Sequence, residues 1–272
     1  YSSVNRFLLD NEKLSSDIVV CCAFLGRPQI LELVIKEGLA AKTCNTSFCL
    51  VGSSTEDREF LLKYSENNQV IGVIAENRPV GRKWQISVEV ARALVDFDLL
   101  GITGSDDLLT SKLLDNVLSR HRGNICKSTV GELVPALYAT LEWMIFAVGE
   151  KQDYLPQLVR CNYRLDHAIQ PIGGGRFYSK HFIEHYGDHL FDQAKNKLLD
   201  DDGFELVANH GFGVEYYDRT LGSVLNIKGD SKQMNEFEMI ANAPNIDVME
   251  FSFEGFKVLR NELSPSIFEQ VF

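Results

Sequence analysis

The 272-residue chain lacks any uninterrupted apolar run long enough to cross a membrane. Its most apolar stretch, Val130 to Val148, is broken by Glu132, Pro135 and Glu142, whereas a span needs about 20 mainly apolar residues. No secretory h-region is read in its opening residues, so a secretory leader is not expected there. Positive charge is scarce too, with 27 Lys and Arg against 38 Asp and Glu, a formal net charge of −11. Such a surface repels phosphate backbones, so nucleic acid is not an expected partner, although a local basic patch still suits a small phosphorylated ligand. The six cysteines, at 21, 22, 44, 49, 126 and 161, have no zinc-binding spacing. They read as small apolar core residues in a reducing, cytoplasmic compartment, with peripheral membrane association left open. The six histidines form no HExxH pattern. There is no G-x-S-x-G elbow and no G-x-G-x-x-G fingerprint.

What is present is a globular composition, 45% apolar and 24% charged. It excludes disorder, collagen-like repeats and coiled coil, and provides for a sizeable core. Residues 17 to 24 form a continuous apolar run rich in β-branched side chains, as a strand buried on both faces requires. Arg27-Pro28 punctuates it, and Leu31, Val34, Ile35 and Leu39 then recur at helical spacing. A second run, Ser47 to Val51, precedes a polar helical segment reaching about Tyr64. A third, Val70 to Ala75, is followed past Pro79 and Gly81 by a helical stripe of Trp84, Val88, Ala91 and Val95. The fourth, Phe97 to Thr103, ends in Gly104-Ser105-Asp106-Asp107, and a helix with Leu114, Val117 and Leu118 starts at Ser111. Four strand–helix alternations predict right-handed βαβ units, an α/β fold with a doubly wound, mainly parallel sheet. Ligands of such sheets bind at the carboxyl ends of the strands.

The second half is less regular. Residues 124 to 170 read as strands and loops, and Gly173-Gly174-Gly175 must be a loop. Ser179 to Tyr186 reads as helix, and residues 198 to 203 as a helix end followed by an acidic turn. Strands are expected at Ser223 to Ile227 and from Val248. With no repeat and no low-complexity linker, residues 1–272 are expected to form one continuous domain.

Three constellations carry chemistry. Asp106 and Asp107, adjacent at a strand end, suit a hard divalent cation that would neutralise a departing diphosphate; they equally suit a helix-start turn. Arg78, Arg82 and Lys83 surround a glycine before a helix, which favours an anion or forms a solvated basic turn. Asp200, Asp201 and Asp202 offer a general base for a hydroxyl, or a helix-terminal acidic cluster.

The order of these segments resembles the GT-A fold of family-2-like, nucleotide-sugar-dependent glycosyltransferases. Residues 19 to 28 are similar to their opening strand and "P-x-Y-x-R-P" turn, and 51 to 57 to "DDGSxD". Residues 77 to 84 are similar to "N-x-P-L-G-x-K-W-Q", and 98 to 107 to the strand ending in "D-S-D-D". Shorter islands follow: 172 to 179 resembles the "G-x-G-R-x-x-S" acceptor-side loop, and 199 to 202 the acidic motif that supplies the base. The first 120 residues match well.

The resemblance implies transfer of a sugar from a nucleoside-diphosphate donor to a hydroxyl of a glycan or polysaccharide, with inversion and with Mn²⁺ or Mg²⁺. Residues of about 15–120 would form the nucleotide-sugar-binding half, and about 121–272 the acceptor half, with an additional smaller sheet. Ala23, Phe24, Arg27, Ser53, Ser54, Asn77, Lys83, Ser105 and Asp106 would face the donor. Asp107, with Asp106, would hold the metal, and Gly174, Gly175 and Arg176 would meet the acceptor. Asp201, or its neighbour Asp200 or Asp202, would be the base. Two departures stand out: Gly104 occupies the place of a first Asp, and Gly52 and Ser53 replace acids that read the nucleobase. The other readings are a sugar nucleotidyltransferase, whose glycine-rich loop after the first strand is missing at residues 25 to 28, and a non-catalytic nucleotide- or carbohydrate-binding module.

Overall fold

The computed structural model describes residues 2–3, 13–128, 133–147, 157–163, 171–197, 199–228, 246–251, 260–261, 263–265 and 267. Two short strands open it, β1 (Ser2–Ser3) and β2 (Leu14–Ser15). Then come β3 (Ile18–Ala23), α1 (Pro28–Leu39), β4 (Thr46–Gly52), α2 (Thr55–Leu62), β5 (Val70–Ile74) and α3 (Val80–Leu94). The short β6 (Val95–Asp96) precedes β7 (Leu99–Ile102), β8 (Asp107–Leu109) and α4 (Ser111–Ser128). The remainder comprises β9 (Leu137–Thr140), β10 (Glu142–Ala147), β11 (Gln157–Tyr163), β12 (Arg176–Ser179), α5 (Lys180–Tyr186), α6 (Leu199–Asn209), β13 (Val214–Tyr217), β14 (Val224–Lys228) and β15 (Ile246–Phe251).

The main sheet has the order β1-β5-β4-β3-β7-β12-β9-β13. Strands β5, β4, β3 and β7 run parallel, as their alternation with helices predicts. β12 then joins β7 antiparallel and links it to β9. A second sheet, β15-β11-β10-β14-β8, stands beside it. This is the expected α/β architecture, a central, mostly parallel sheet with helices on both faces.

Burial follows the strand period of two. Ile18, Val20 and Cys22 pack with α1, α2 and α4 on one face, while Val19 and Cys21 pack with α3 and α5 on the other. Both sets are fully enclosed, which is why the run carries no polar alternation. Each such Leu, Ile or Val contributes about 2 kcal/mol of burial free energy, set against the entropy of ordering the chain. Helix α1 starts at Pro28, whose missing N–H costs nothing in a first turn.

Three expectations are corrected. Residues 124 to 128 continue α4 rather than opening a strand region. The acidic triplet is no turn after a helix: it lies in the first turn of α6, where carboxylates favour the helix dipole. Cys21, Cys22, Cys44 and Cys49 are buried as expected, but Cys126 is exposed on the outer side of α4. The side chains of Asp200 and of the cysteine at 161 lie outside the described residues. No helix among the described residues is long and apolar enough to cross a membrane.

Candidate functional site

The loops after β3, β4, β5 and β7 meet at the carboxyl edge of the parallel strands, and one buried carboxylate ties two of them together. Asp57, 1% exposed, accepts the Gly26 N–H through Oδ1 at 2.8 Å and the Ser53 and Ser54 N–H groups through Oδ2 at 2.8 and 3.0 Å. Ser54 Oγ returns the favour by accepting from the Asp57 N–H at 3.0 Å, a capping box that starts α2. Ser53 Oγ is buried without a hydrogen-bond partner. The sequence reading placed Ser53 and Ser54 here but missed Asp57, although the S-x-x-D spacing of a capping box marks it.

Lys83 lies beneath the same edge. It is 2% exposed; its Nζ donates to the Phe24 carbonyl and, at 3.2 Å, to Asn77 Oδ1. Nζ also sits 5.9 Å from the Phe24 ring centroid. Burial pulls the Lys83 ammonium down to about 8, with Asp57 and Cys22 acting in the other direction. Phe24, Asn77 and Lys83 are thus brought together, as expected. The basic cluster as a whole is not an open anion cradle: Arg82 pairs with Glu89 at 2.7 Å, the Val80 N–H donates to Asn196 and the Gly81 N–H to the Lys195 carbonyl. Sequence reading could not foresee a distant segment covering this helix start.

The acidic pair sits between the two sheets. Asp106 pairs with Arg27, Nη1 to Oδ2 at 3.1 Å, beside half-buried Ser105. Asp107 is the first residue of β8, not a helix cap, and Thr103 Oγ1 donates to its carbonyl at 2.5 Å. Its carboxylate accepts the Gly104 N–H at 3.2 Å and the side-chain amide of Asn226, its register partner on β14. Asn226 is 9% exposed, and its Oδ1 has no hydrogen-bond partner. Sequence reading missed it; the signal was a lone amide inside the apolar run Val224-Leu225-Asn226-Ile227.

The glycine loop closes over this pair. A Cβ on Gly174 would lie 2.9 Å from Asp107 Oδ2, and one on Gly104 2.5 Å from it. An acid in place of Gly104 would therefore have to displace the Asp107 carboxylate. Gly175, at φ +73°, would put a Cβ 2.6 Å from Tyr217 Oη, whose hydroxyl donates to the Gly175 carbonyl at 2.5 Å. Arg176 does not reach outward. It is 2% exposed and donates to the Ile172 and Pro171 carbonyls at 2.8 and 2.7 Å, holding its own loop.

The first turn of α6 packs against the start of α3. A Cβ on Gly81 would fall 1.9 Å from the Asp192 carbonyl oxygen and 3.0 Å from Leu199 Cδ2, and Trp84, only half-buried, packs against Phe191 at 5.6 Å. Within the triplet, Asp202 is committed to structure: it accepts the Asp192 N–H at 2.9 Å and pairs with Lys195. Asp201 is half-buried.

The donor set fits a hard cation. Two carboxylates and the unsatisfied buried amide oxygen of Asn226 are oxygen ligands of the kind Mg²⁺ and Mn²⁺ prefer. Among the described residues no group of three or more His, Cys, Asp and Glu side chains is arranged to hold a metal, so further ligands would come from a bound molecule.

No protein-family model matches the chain, and no curated protein does. Solved structures do. The crystal structure of S. aureus TarS has a TM-score of 0.54 at 8% identity, covering 78% of this chain and 37% of that one. TarS 1-349 scores 0.48 at 12% identity over 78% of this chain and 60% of that one. Its complex with UDP-GlcNAc scores 0.47 at 12% identity over 79% and 60%. This chain therefore spans less than two thirds of each TarS chain, and at these identities the likeness is one of fold alone, a mixed α/β architecture around a central, mostly parallel sheet.

Proposed function

We propose that this chain is a glycosyltransferase of the family-2-like GT-A kind, moving a sugar from a nucleoside-diphosphate donor to a hydroxyl of a glycan or polysaccharide, with inversion and with a divalent cation. One observation carries the reading. Asp106 and Asp107, the unsatisfied Asn226 Oδ1 and the Gly174 backbone converge at the edge where the Phe24–Lys83–Asn77 and Ser53–Ser54 loops also meet. A donor would lie with its nucleoside along those loops and its diphosphate at the acidic pair.

Asp107, Asp106 and Asn226 would hold Mn²⁺ or Mg²⁺, which when bound supplies positive charge against the leaving diphosphate. Asp201 is the base. It takes the proton of the acceptor hydroxyl, whose oxygen attacks the anomeric carbon from the face opposite the leaving group. The new C–O bond forms as the bond to the diphosphate oxygen breaks, and the nucleoside diphosphate leaves with that electron pair. Asp202 keeps the base on its helix by holding residues 192 to 195. The glycine loop, with its backbone against Asp107, brings the acceptor side to the anomeric carbon.

The test is thermal unfolding with Mn²⁺ and UDP, GDP, ADP or CDP, followed by release of sugar from a matching donor such as UDP-GlcNAc. At least one diphosphate raises the melting temperature by several degrees with Mn²⁺ present, and Asp107→Asn removes the shift. Unchanged melting across the panel overturns the reading. Binding without sugar release or transfer would make the chain a non-catalytic module.

A further inference from the structure

Arg27 has an unusual backbone for the residue it is. Its φ of 60° and ψ of 45° lie in the left-handed region, the only such conformation among non-glycine described residues. A side chain held there costs on the order of 1 kcal/mol and persists only where the surroundings impose it. No side-chain hydrogen bond to the start of α1 accounts for it. The preceding Gly26, at φ 69°, is anchored by its N–H to Asp57. What the conformation achieves is delivery of the guanidinium to Asp106 Oδ2 at 3.1 Å, with the two side chains 33% and 15% exposed.

That pairing places a fixed positive charge on one of the two carboxylates that would hold the cation. A guanidinium and a divalent ion repel each other at such range, and Asp106 cannot serve both at full strength. A guanidinium is also a bidentate partner for phosphate oxygens.

Resting on the donor-site reading above, we propose that Arg27 and the divalent cation are alternative counter-ions of Asp106. Without donor, Arg27 covers Asp106 and cation binding is weak. When a nucleoside diphosphate enters, Arg27 transfers to its phosphate oxygens, Asp106 is released to the cation, and the two ligands bind cooperatively. The strained loop is the device that keeps Arg27 within reach of both positions.

The experiment compares Mn²⁺ binding, followed by the electron paramagnetic resonance of free Mn²⁺, with and without UDP, and UDP binding by calorimetry. The proteins are the wild-type chain, Arg27→Gln and Arg27→Gly; the glycine variant removes the charge while accepting the left-handed backbone without strain. Both variants bind Mn²⁺ alone about tenfold more tightly and UDP about tenfold more weakly, and the enhancement of Mn²⁺ binding by UDP shrinks. Changes of the same sign in both ligands, or no change in Mn²⁺ affinity, overturn the proposal and leave Arg27 a loop-shaping residue. A wild-type chain that binds neither ligand overturns the donor-site reading itself, and the counter-ion exchange with it.

Discussion

Asn226 stands opposite Asp107 across the β8–β14 ladder and donates its side-chain amide to that carboxylate. With Oδ1 held by this amide and Oδ2 accepting the Gly104 N–H at 3.2 Å, the carboxylate is kept in one orientation, the service that neighbouring groups give metal-binding carboxylates. Asn226→Leu should lower turnover about 10- to 100-fold, with little change in the Michaelis constant for acceptor. Steady-state transfer rates check it, and an unchanged rate would remove Asn226 from the site.

Gly104 and Gly174 press their backbones onto the same carboxylate, with added Cβ atoms falling 2.5 and 2.9 Å from Oδ2. Gly104→Ala or Gly174→Ala should turn Asp107 aside. The measurable result is at least about tenfold weaker Mn²⁺-dependent binding of UDP, by the sensitivity of metal sites to their supports. Melting without ligand should shift by only a few degrees. Equal losses in stability and binding would point to a general packing defect.

Asp57 serves three backbone N–H groups from two loops. Asp57→Ala leaves those donors without their partner and should destabilise the chain by about 2–4 kcal/mol. Urea unfolding measures it. The conservative Asp57→Asn should lose less stability yet raise the donor's Michaelis constant, because the loops at residues 26 and 53 to 54 are no longer locked together.

Lys83 gives a pH signature. Burial holds its ammonium at about 8 against an ordinary value of 10.5, so between those limits the unfolded chain binds more protons than the folded one. Stability from this group is therefore lowest below pH 8 and rises with pH up to about 10.5. Buried Cys44, pushed up to about 12 mainly by desolvation, acts oppositely above its ordinary value, so the readout is a difference. Wild type minus Lys83→Met, in urea midpoints, should rise between pH 8 and 10; a flat difference contradicts a buried, depressed lysine.

The parallel core was legible because its strands are buried on both faces. Nothing polar interrupts Ile18 to Cys22, and the helical stripe of Leu31, Val34 and Ile35 needs only local spacing to be seen. Asp106 and Asp107 were visible as neighbours in sequence, but their partners were not: Arg27 and Asn226 arrive from 79 and 119 positions away. The acidic triplet was misread as a turn because Gly203 looks like a helix stop. Its smallness instead admits the Tyr178 ring, since a Cβ there would lie 2.4 Å from Tyr178 Oη. Arg82 and Lys83 resembled an anion cradle because the groups that occupy them, Glu89 and the Phe24 carbonyl, differ from it only in three dimensions.

Strand β12 enters the sheet antiparallel beside β7 and carries the rest of the chain with it. The segments before and after Ser128 thus share one sheet. A fragment ending at Ser128 would retain the parallel β5, β4, β3 and β7 yet bare the β7 edge as a row of unsatisfied amides, an invitation to self-association. It would also strip Asp107 of the wedge and the amide that orient it, so the acidic pair keeps its geometry only where both parts of the chain are present.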